Sequence, residues 1–155
     1  STETTKEGLQ KKVHEILDQS CDIFIASAAV ADYRPMNVSD QKIKKDKQNS
    51  NELLIRLEEN PDIVASVTER KDKPFTVGFA AETQNVQEYA KGKLQRKNLD
   101  MIVANDVSKP GQGFNSEFNQ VTMITADTEI VLDLDKKEKL AEKIVSYIAN
   151  RYLNL

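Results

Sequence analysis

Leu9, Val13, Ile16 and Leu17 recur at the spacing of one helical face, which predicts an amphipathic helix over residues 5–20. Residues 22–30 follow as an almost unbroken apolar run. They predict a strand buried on both faces, as in a parallel sheet. Residues 31–51 break the pattern. Pro35, the lack of an apolar period and Lys42, Lys44, Lys45 and Lys47 predict a mobile lysine-rich loop, at about 33–50. A short strand is expected over residues 52–57.

Asn60-Pro61 opens the next predicted helix, because Asn caps well and Pro suits the first helical position. Ile63, Val64 and Val67 supply its apolar face. Residues 75–80 read as a second buried strand, residues 86–97 as a helix and residues 100–104 as a third strand. Residues 109–114, rich in Gly and Pro, read as a loop. Residues 121–126 and 129–134, separated by Asp127-Thr128, predict an antiparallel hairpin. Leu140, Ile144, Ile148 and Tyr152, spaced four apart, predict a final helix over residues 136–153.

Helices alternating with buried strands predict an α/β fold, a Rossmann-like, mainly parallel three-layer sheet with an antiparallel hairpin near the C-terminus. One domain over residues 1–155 is expected. Such sheets normally begin on a strand and this chain begins on a helix, so N-terminal strands are expected to be missing.

Composition narrows the function classes. Apolar residues make up 39%, charged residues 30% and the net charge is −3, so nothing draws the chain as a whole to nucleic acid or anionic membrane. No stretch approaches the roughly 20 apolar residues of a membrane helix. One cysteine, Cys21, and one histidine, His14, make neither an internal disulfide nor a Cys/His zinc site. A reducing cytosol is the natural reading. Cys21 reads as a packing residue and His14 as helix surface.

In open α/β sheets, ligands bind beyond the carboxyl ends of the strands. The informative segments are therefore those after Val30, Ala80 and Ala104, and the helix start at Asn60. Asp32 suits a ribose hydroxyl or a metal, although its spacing alone favours a local turn. The lysine run suits a triphosphate or is a solvated loop. Asn60-Pro61-Asp62-Ile63-Val64 presents helix N-terminal amides to an anion, or is only a well-capped helix. Phe79 stacks on a base or packs in the core, and Glu82 binds a metal or starts a turn. Lys93 and Lys97, four apart and so on one helical face, grip phosphates or lie on solvated surface. The chain's five glycines form neither G-x-G-x-x-G nor a Walker A loop, which counts against a standard dinucleotide or P-loop site.

The order and wording of these segments carry more than their spacing. Ser27-Ala-Ala-Val-Ala-Asp-Tyr-Arg-Pro35, Lys42-Ile-Lys-Lys45, Asn60-Pro-Asp-Ile-Val64, Val77-Gly-Phe-Ala-Ala-Glu-Thr83, Ala104-Asn-Asp-Val-Ser108 and Gly113-Phe-Asn-Ser116 occur together. From about Val13 to the final helix, the chain resembles bacterial phosphopantothenate–cysteine ligase, the C-terminal half of the bifunctional coenzyme A biosynthesis flavoprotein.

The resemblance implies a ligase that joins 4′-phosphopantothenate to cysteine through an acyl-cytidylate formed from CTP, assisted by Mg2+. It implies nucleotide contacts at Ala26, Ser27, Ala28, Asp32, Pro61, Asp62, Ile63, Val64 and Phe79. Lys93 and Lys97 would hold phosphates, and Lys42 would act in catalysis from the mobile loop. The metal ligands stay open. A homodimer is implied, as is a flavin-dependent decarboxylase, fused or separate. The family's earlier glycine-rich strand–loop–helix segment has no counterpart here, so the chain alone is expected to be an incomplete enzyme. Two other readings stand beside this one: a non-catalytic nucleotide-binding or dimerisation module, and a Rossmann-type oxidoreductase.

Overall fold

The computed structural model describes residues 5–28, 30–37, 54–108 and 116–155. The elements run α1 (Lys6–Leu17), β1 (Ile23–Ala26), β2 (Tyr33–Pro35), β3 (Leu57–Glu59), α2 (Ile63–Thr68), β4 (Phe75–Glu82), α3 (Val86–Arg96), β5 (Met101–Asp106), β6 (Phe118–Ile124), β7 (Glu129–Lys136) and α4 (Lys137–Leu153).

One five-stranded sheet has the order β1-β4-β5-β6-β7. β1, β4 and β5 are parallel, and β5, β6 and β7 are antiparallel neighbours. The α/β architecture with its C-terminal hairpin is therefore the one the sequence predicts, with parallel and antiparallel parts meeting at β5. Successive residues of β4 point to opposite faces. Phe75 and Val77, with Met101, Val103, Val121 and Met123, pack against Leu140, Ile144 and Ile148 of α4. Ala80, Ile102, Ala104 and Ile124 pack on the other face against Ala90 and Leu94 of α3. Each fully buried aliphatic here contributes about 2 kcal/mol of transfer free energy. Phe75 and Tyr152 meet edge to face at 6.1 Å, which anchors the end of α4 to β4.

Several local expectations are corrected. β1 is shorter than the predicted run and is the sheet's outer strand, so Ile25 is 41% exposed instead of buried. Ile16, expected on the apolar face of α1, is 53% exposed; Leu17 is the residue that packs. The segment expected to be a loop contains a strand: β2 pairs antiparallel with β3, Tyr33 opposite Glu59 and Pro35 opposite Leu57. The short strand expected over residues 52–57 is thus observed at Leu57–Glu59. Arg34 pins this ribbon by pairing with Glu58 at 2.8 Å and with Glu7 of α1. Lys42 and the rest of the lysine run lie outside the described residues, as do residues 109–115.

The start of α2 also differs. Asp62, not Asn60, is the N-cap, and its carboxylate accepts from the Ala65 amide at 3.0 Å. Asn60 is engaged elsewhere. Its backbone N–H donates to Asp32 O at 2.7 Å and its side-chain amide donates to Ala31 O at 3.0 Å. Both residue types cap well, so the tertiary partners of Asn60 decide which one does.

Candidate functional site

Three residues at matching register form a row across the sheet: Ala26 of β1 lies beside Gly78 of β4, and Gly78 beside Ile102 of β5. All three line a cleft of about 440 Å³ on the α3 face. Two of the three are small, which leaves depth between α2 and α3. At Gly78 a Cβ would stand 2.7 Å from Leu99 Cδ1, so a larger residue there would have to displace the Leu99 side chain.

Alternation along β1 sets Ile25 and Ala26 toward different cavities, and the residues beyond it divide between the same two. Ala26, Ala28, Val30 and Asp32 line the cleft, together with Asp62, Ile63 and Val64 from the start of α2. Ser27 is one position out of phase and lines a second, largely apolar cavity of about 410 Å³ on the α4 face, with Leu140 and Ile144. Phe79 reaches both cavities and is 42% exposed. It is therefore placed for contact with a ligand and is not sealed in the core. Pro61 stands between two lining residues, Asn60 and Asp62, without lining the cleft itself. Lys93 of α3 and Lys97, the residue that caps its C-terminus, both line it. Asn105 lines the second cavity, and Asp106 a third of about 460 Å³.

Basic and acidic groups are interleaved around the cleft. Lys6, Lys93, Arg96 and Lys97 line it with Asp32, Glu59 and Asp62. Lys93 Nζ donates to Glu82 Oε1 at 2.6 Å, and Lys97 Nζ stands 3.0 Å from Asp62 Oδ2. Burial pushes the Asp62 carboxyl up, but the Ala65 amide and the Lys97 ammonium outweigh it, so its pKa lies below the ordinary 3.8. Asp62 thus stays ionised at neutral pH while capping α2 and holding Lys97.

Arg96 and Lys6 were not anticipated. Arg96 is three residues beyond Lys93 and shares its helical face, so spacing carried a usable signal. Lys6 comes from the first turn of α1 and donates to Ala31 O. No local pattern links it to the cleft.

A protein metal cage is not what this lining offers. Among the described residues, no group of three or more His, Cys, Asp and Glu side chains is arranged to hold a metal ion. Asp62 is engaged by Lys97 and the Ala65 amide.

Comparison with known proteins agrees with this geometry. Residues 2–152 match the family model described as DNA/pantothenate metabolism flavoprotein C-terminal domain. The coenzyme A biosynthesis bifunctional protein CoaBC of Vibrio parahaemolyticus is 56% identical over 127 residues, 81% of this chain and 32% of that protein. The protein of the same name from Escherichia coli is 52% identical over 135 residues, 86% of this chain and 33% of that protein. The chain therefore spans about a third of the length of these curated relatives. A crystal structure of the C-terminal domain of coenzyme A biosynthesis bifunctional protein CoaBC superposes with a TM-score of 0.73 at 36% identity, covering 99% of this chain and 65% of that one. With its sequence and its fold in agreement, the chain belongs to the DNA/pantothenate metabolism flavoprotein C-terminal domain family.

Proposed function

We propose that this chain forms the nucleotide-binding part of a ligase that joins 4′-phosphopantothenate to cysteine, using CTP, in coenzyme A biosynthesis. The observation that carries this reading is the cleft itself. It gathers Ala26, Asp32, Asp62, Phe79, Lys93 and Lys97, from separate stretches of the chain, around one ligand-sized space.

In this reading the carboxylate of 4′-phosphopantothenate attacks the α-phosphorus of CTP. The bond to the leaving pyrophosphate breaks and an acyl-cytidylate forms. The cysteine amine then attacks the acyl carbon and CMP departs. The first step brings two anions together, and cations in a water-poor site offset their repulsion. Lys93 and Lys97 stand about one helical turn apart, a spacing that suits neighbouring phosphates of one chain. Mg2+, carried on the triphosphate, would neutralise part of the same charge. Asp32 on the rim suits the ribose hydroxyls or that ion. Phe79 offers an exposed ring to the base. Lys42 is assigned to the activation step on sequence resemblance, and lies outside the described residues.

The remaining assignments follow the same reading: a cytoplasmic homodimer, working with a flavin-dependent decarboxylase, fused or separate. Among the described residues no helix is long and apolar enough to cross a membrane. The test is calorimetric titration of the full-length protein with CTP, ATP and NADH, followed by an assay of pyrophosphate release. Preference for CTP, with turnover that needs 4′-phosphopantothenate, is expected. Equal turnover with ATP would overturn the base assignment, and binding of NADH alone would favour the oxidoreductase reading. CTP binding without turnover in the full-length protein would favour a non-catalytic nucleotide-binding module.

A further inference from the structure

We propose that Glu82 is a positioning residue for the proposed ligase: it holds Lys93 at the wall of the cleft and restrains that lysine's attraction for substrate phosphates. The inference rests on the nucleotide-binding reading above and adds a residue that its sequence motifs leave without a role.

The geometry comes from the β4–α3 connection. Glu82 is the last residue of β4, and α3 turns back along the sheet from Val86. Lys93 lies two turns into α3, and its long side chain reaches back to the end of β4. Its Nζ donates to Glu82 Oε1 at 2.6 Å, a short charge-assisted bond. The carboxylate side is the better shielded: the Glu82 side chain is 17% exposed and the Lys93 side chain 37%. Glu82 is thus the better buried partner, whereas Lys93 is more exposed and lines the cleft.

An ammonium has three donors, and Glu82 takes one. The others remain for a phosphate, with their direction set by the bond to Glu82. The carboxylate also cancels most of the charge that an incoming triphosphate would feel. Lys97 is held in the same way by Asp62 at 3.0 Å. However, Asp62 also caps α2, so its removal mixes local structure with charge. Glu82 allows the charge effect to be isolated.

A lysine freed of its counter-charge would bind the phosphates of substrate as strongly as those of the transition state. Uniform binding of that kind lowers KM without raising kcat. Glu82 therefore has the opposite effect to an ordinary binding residue: it weakens ground-state binding and preserves the lysine's position for the reaction.

The experiment compares Glu82→Gln, Lys93→Gln and the double variant in the full-length protein. The readouts are CTP dissociation constants by calorimetry at two salt concentrations, and steady-state pyrophosphate release. Glutamine keeps the acceptor oxygen and the length but removes the charge. Glu82→Gln is expected to tighten CTP binding by about fivefold, with a steeper salt dependence, and to lower kcat by about tenfold. Lys93→Gln is expected to weaken CTP binding by about tenfold. In the Lys93→Gln background, adding Glu82→Gln should no longer lower kcat, because no lysine is left to position. A merely structural ion pair would lower the melting temperature and leave the KM-to-kcat split unmoved, which overturns the inference. CTP binding that Lys93→Gln weakens and Glu82→Gln leaves unchanged overturns Glu82 alone. Absence of CTP binding in the unsubstituted protein overturns the ligase reading and this inference with it.

Discussion

Asp62 caps α2 through the Ala65 amide and, through its other carboxylate oxygen, holds Lys97 at the end of α3 at 3.0 Å. One side chain thereby links the start of one helix to the cleft wall at the end of another. Thr68 reinforces the same junction, since its hydroxyl reaches Lys97 O at 2.8 Å.

Substitutions at Asp62 should separate these two duties. Asp62→Asn retains a good N-cap and loses the ion pair, so stability at pH 7 should change by no more than about 0.5 kcal/mol. Asp62→Ala loses the cap as well and should cost about 1 kcal/mol. The sign of the pH effect follows from the depressed pKa. A carboxyl that ionises more readily in the folded state contributes stability above its unfolded value near 3.8, and that contribution is lost as pH falls through the lower folded value. Urea unfolding between pH 5 and pH 2.5 should therefore show a shallower acid-side loss in Asp62→Asn than in the parent. Parallel curves would remove Asp62 from the acid-sensitive groups.

Gly78 is the test of the cleft floor. In Gly78→Ala the new methyl meets Leu99 Cδ1 at 2.7 Å, and Leu99 has to rotate away. Because the obstacle is the end of a side chain, the stability cost should fall near the low end for overpacking, about 1 kcal/mol. Nucleotide affinity should fall more steeply, by about tenfold, since the methyl enters the lining between Ala26 and Ile102. Thermal denaturation and CTP titration give the two numbers. Unchanged affinity with lowered stability would place the ligand away from this floor.

Lys42→Gln removes a charge and keeps most of the side chain's length. A solvated lysine would change stability by no more than about 0.5 kcal/mol and leave activity intact. A lysine that offsets charge in activation should cost on the order of 3 kcal/mol, a hundredfold or more in rate. The second outcome is expected, with an unchanged melting temperature and little loss of CTP binding. Acyl-cytidylate formation in a single turnover without cysteine decides it, and a normal rate would remove Lys42 from catalysis.

The hairpin is where assembly should show. Among the described residues β7 forms the sheet edge opposite β1, and Val131 and Leu134 on it are 52% and 57% exposed. An unpaired edge with exposed apolar residues favours association. The full-length protein is expected to be a dimer by light scattering, and Val131→Lys should shift it toward monomer. A monomer at micromolar concentration before any substitution would count against the two-fold assembly.

Local periodicity carried most of the fold. The helices at α3 and α4 and the strands β4 and β5 lie within one or two residues of where their apolar spacing predicts, because each buries a continuous face. β2 escaped notice because its stabilising partner is far away: Tyr33 pairs with Glu59, and three residues rich in polar groups have no period of their own. Ile16 and Ile25 are apolar at suitable positions yet exposed, since burial depends on what packs opposite and the sequence does not state that.

The candidate site divides in the same way. Lys93 and Lys97 share a face by spacing alone, and the motif wording points to Asp32 and the start of α2. Three-dimensional packing decided the rest. Alternation along β1 sets Ile25 and Ala26 toward different cavities, and Ser27 and Ala28 divide between the same two. Asn60 and Asp62 are equally good caps by residue type, and the bonds from Asn60 to the segment before β2 settle the choice. The carboxylates that hold the two lysines come from the end of β4 and the start of α2. Helical and strand periods act over a few residues and can be read along the chain. Ion pairs and cavity walls join residues that only the packing of whole elements brings together.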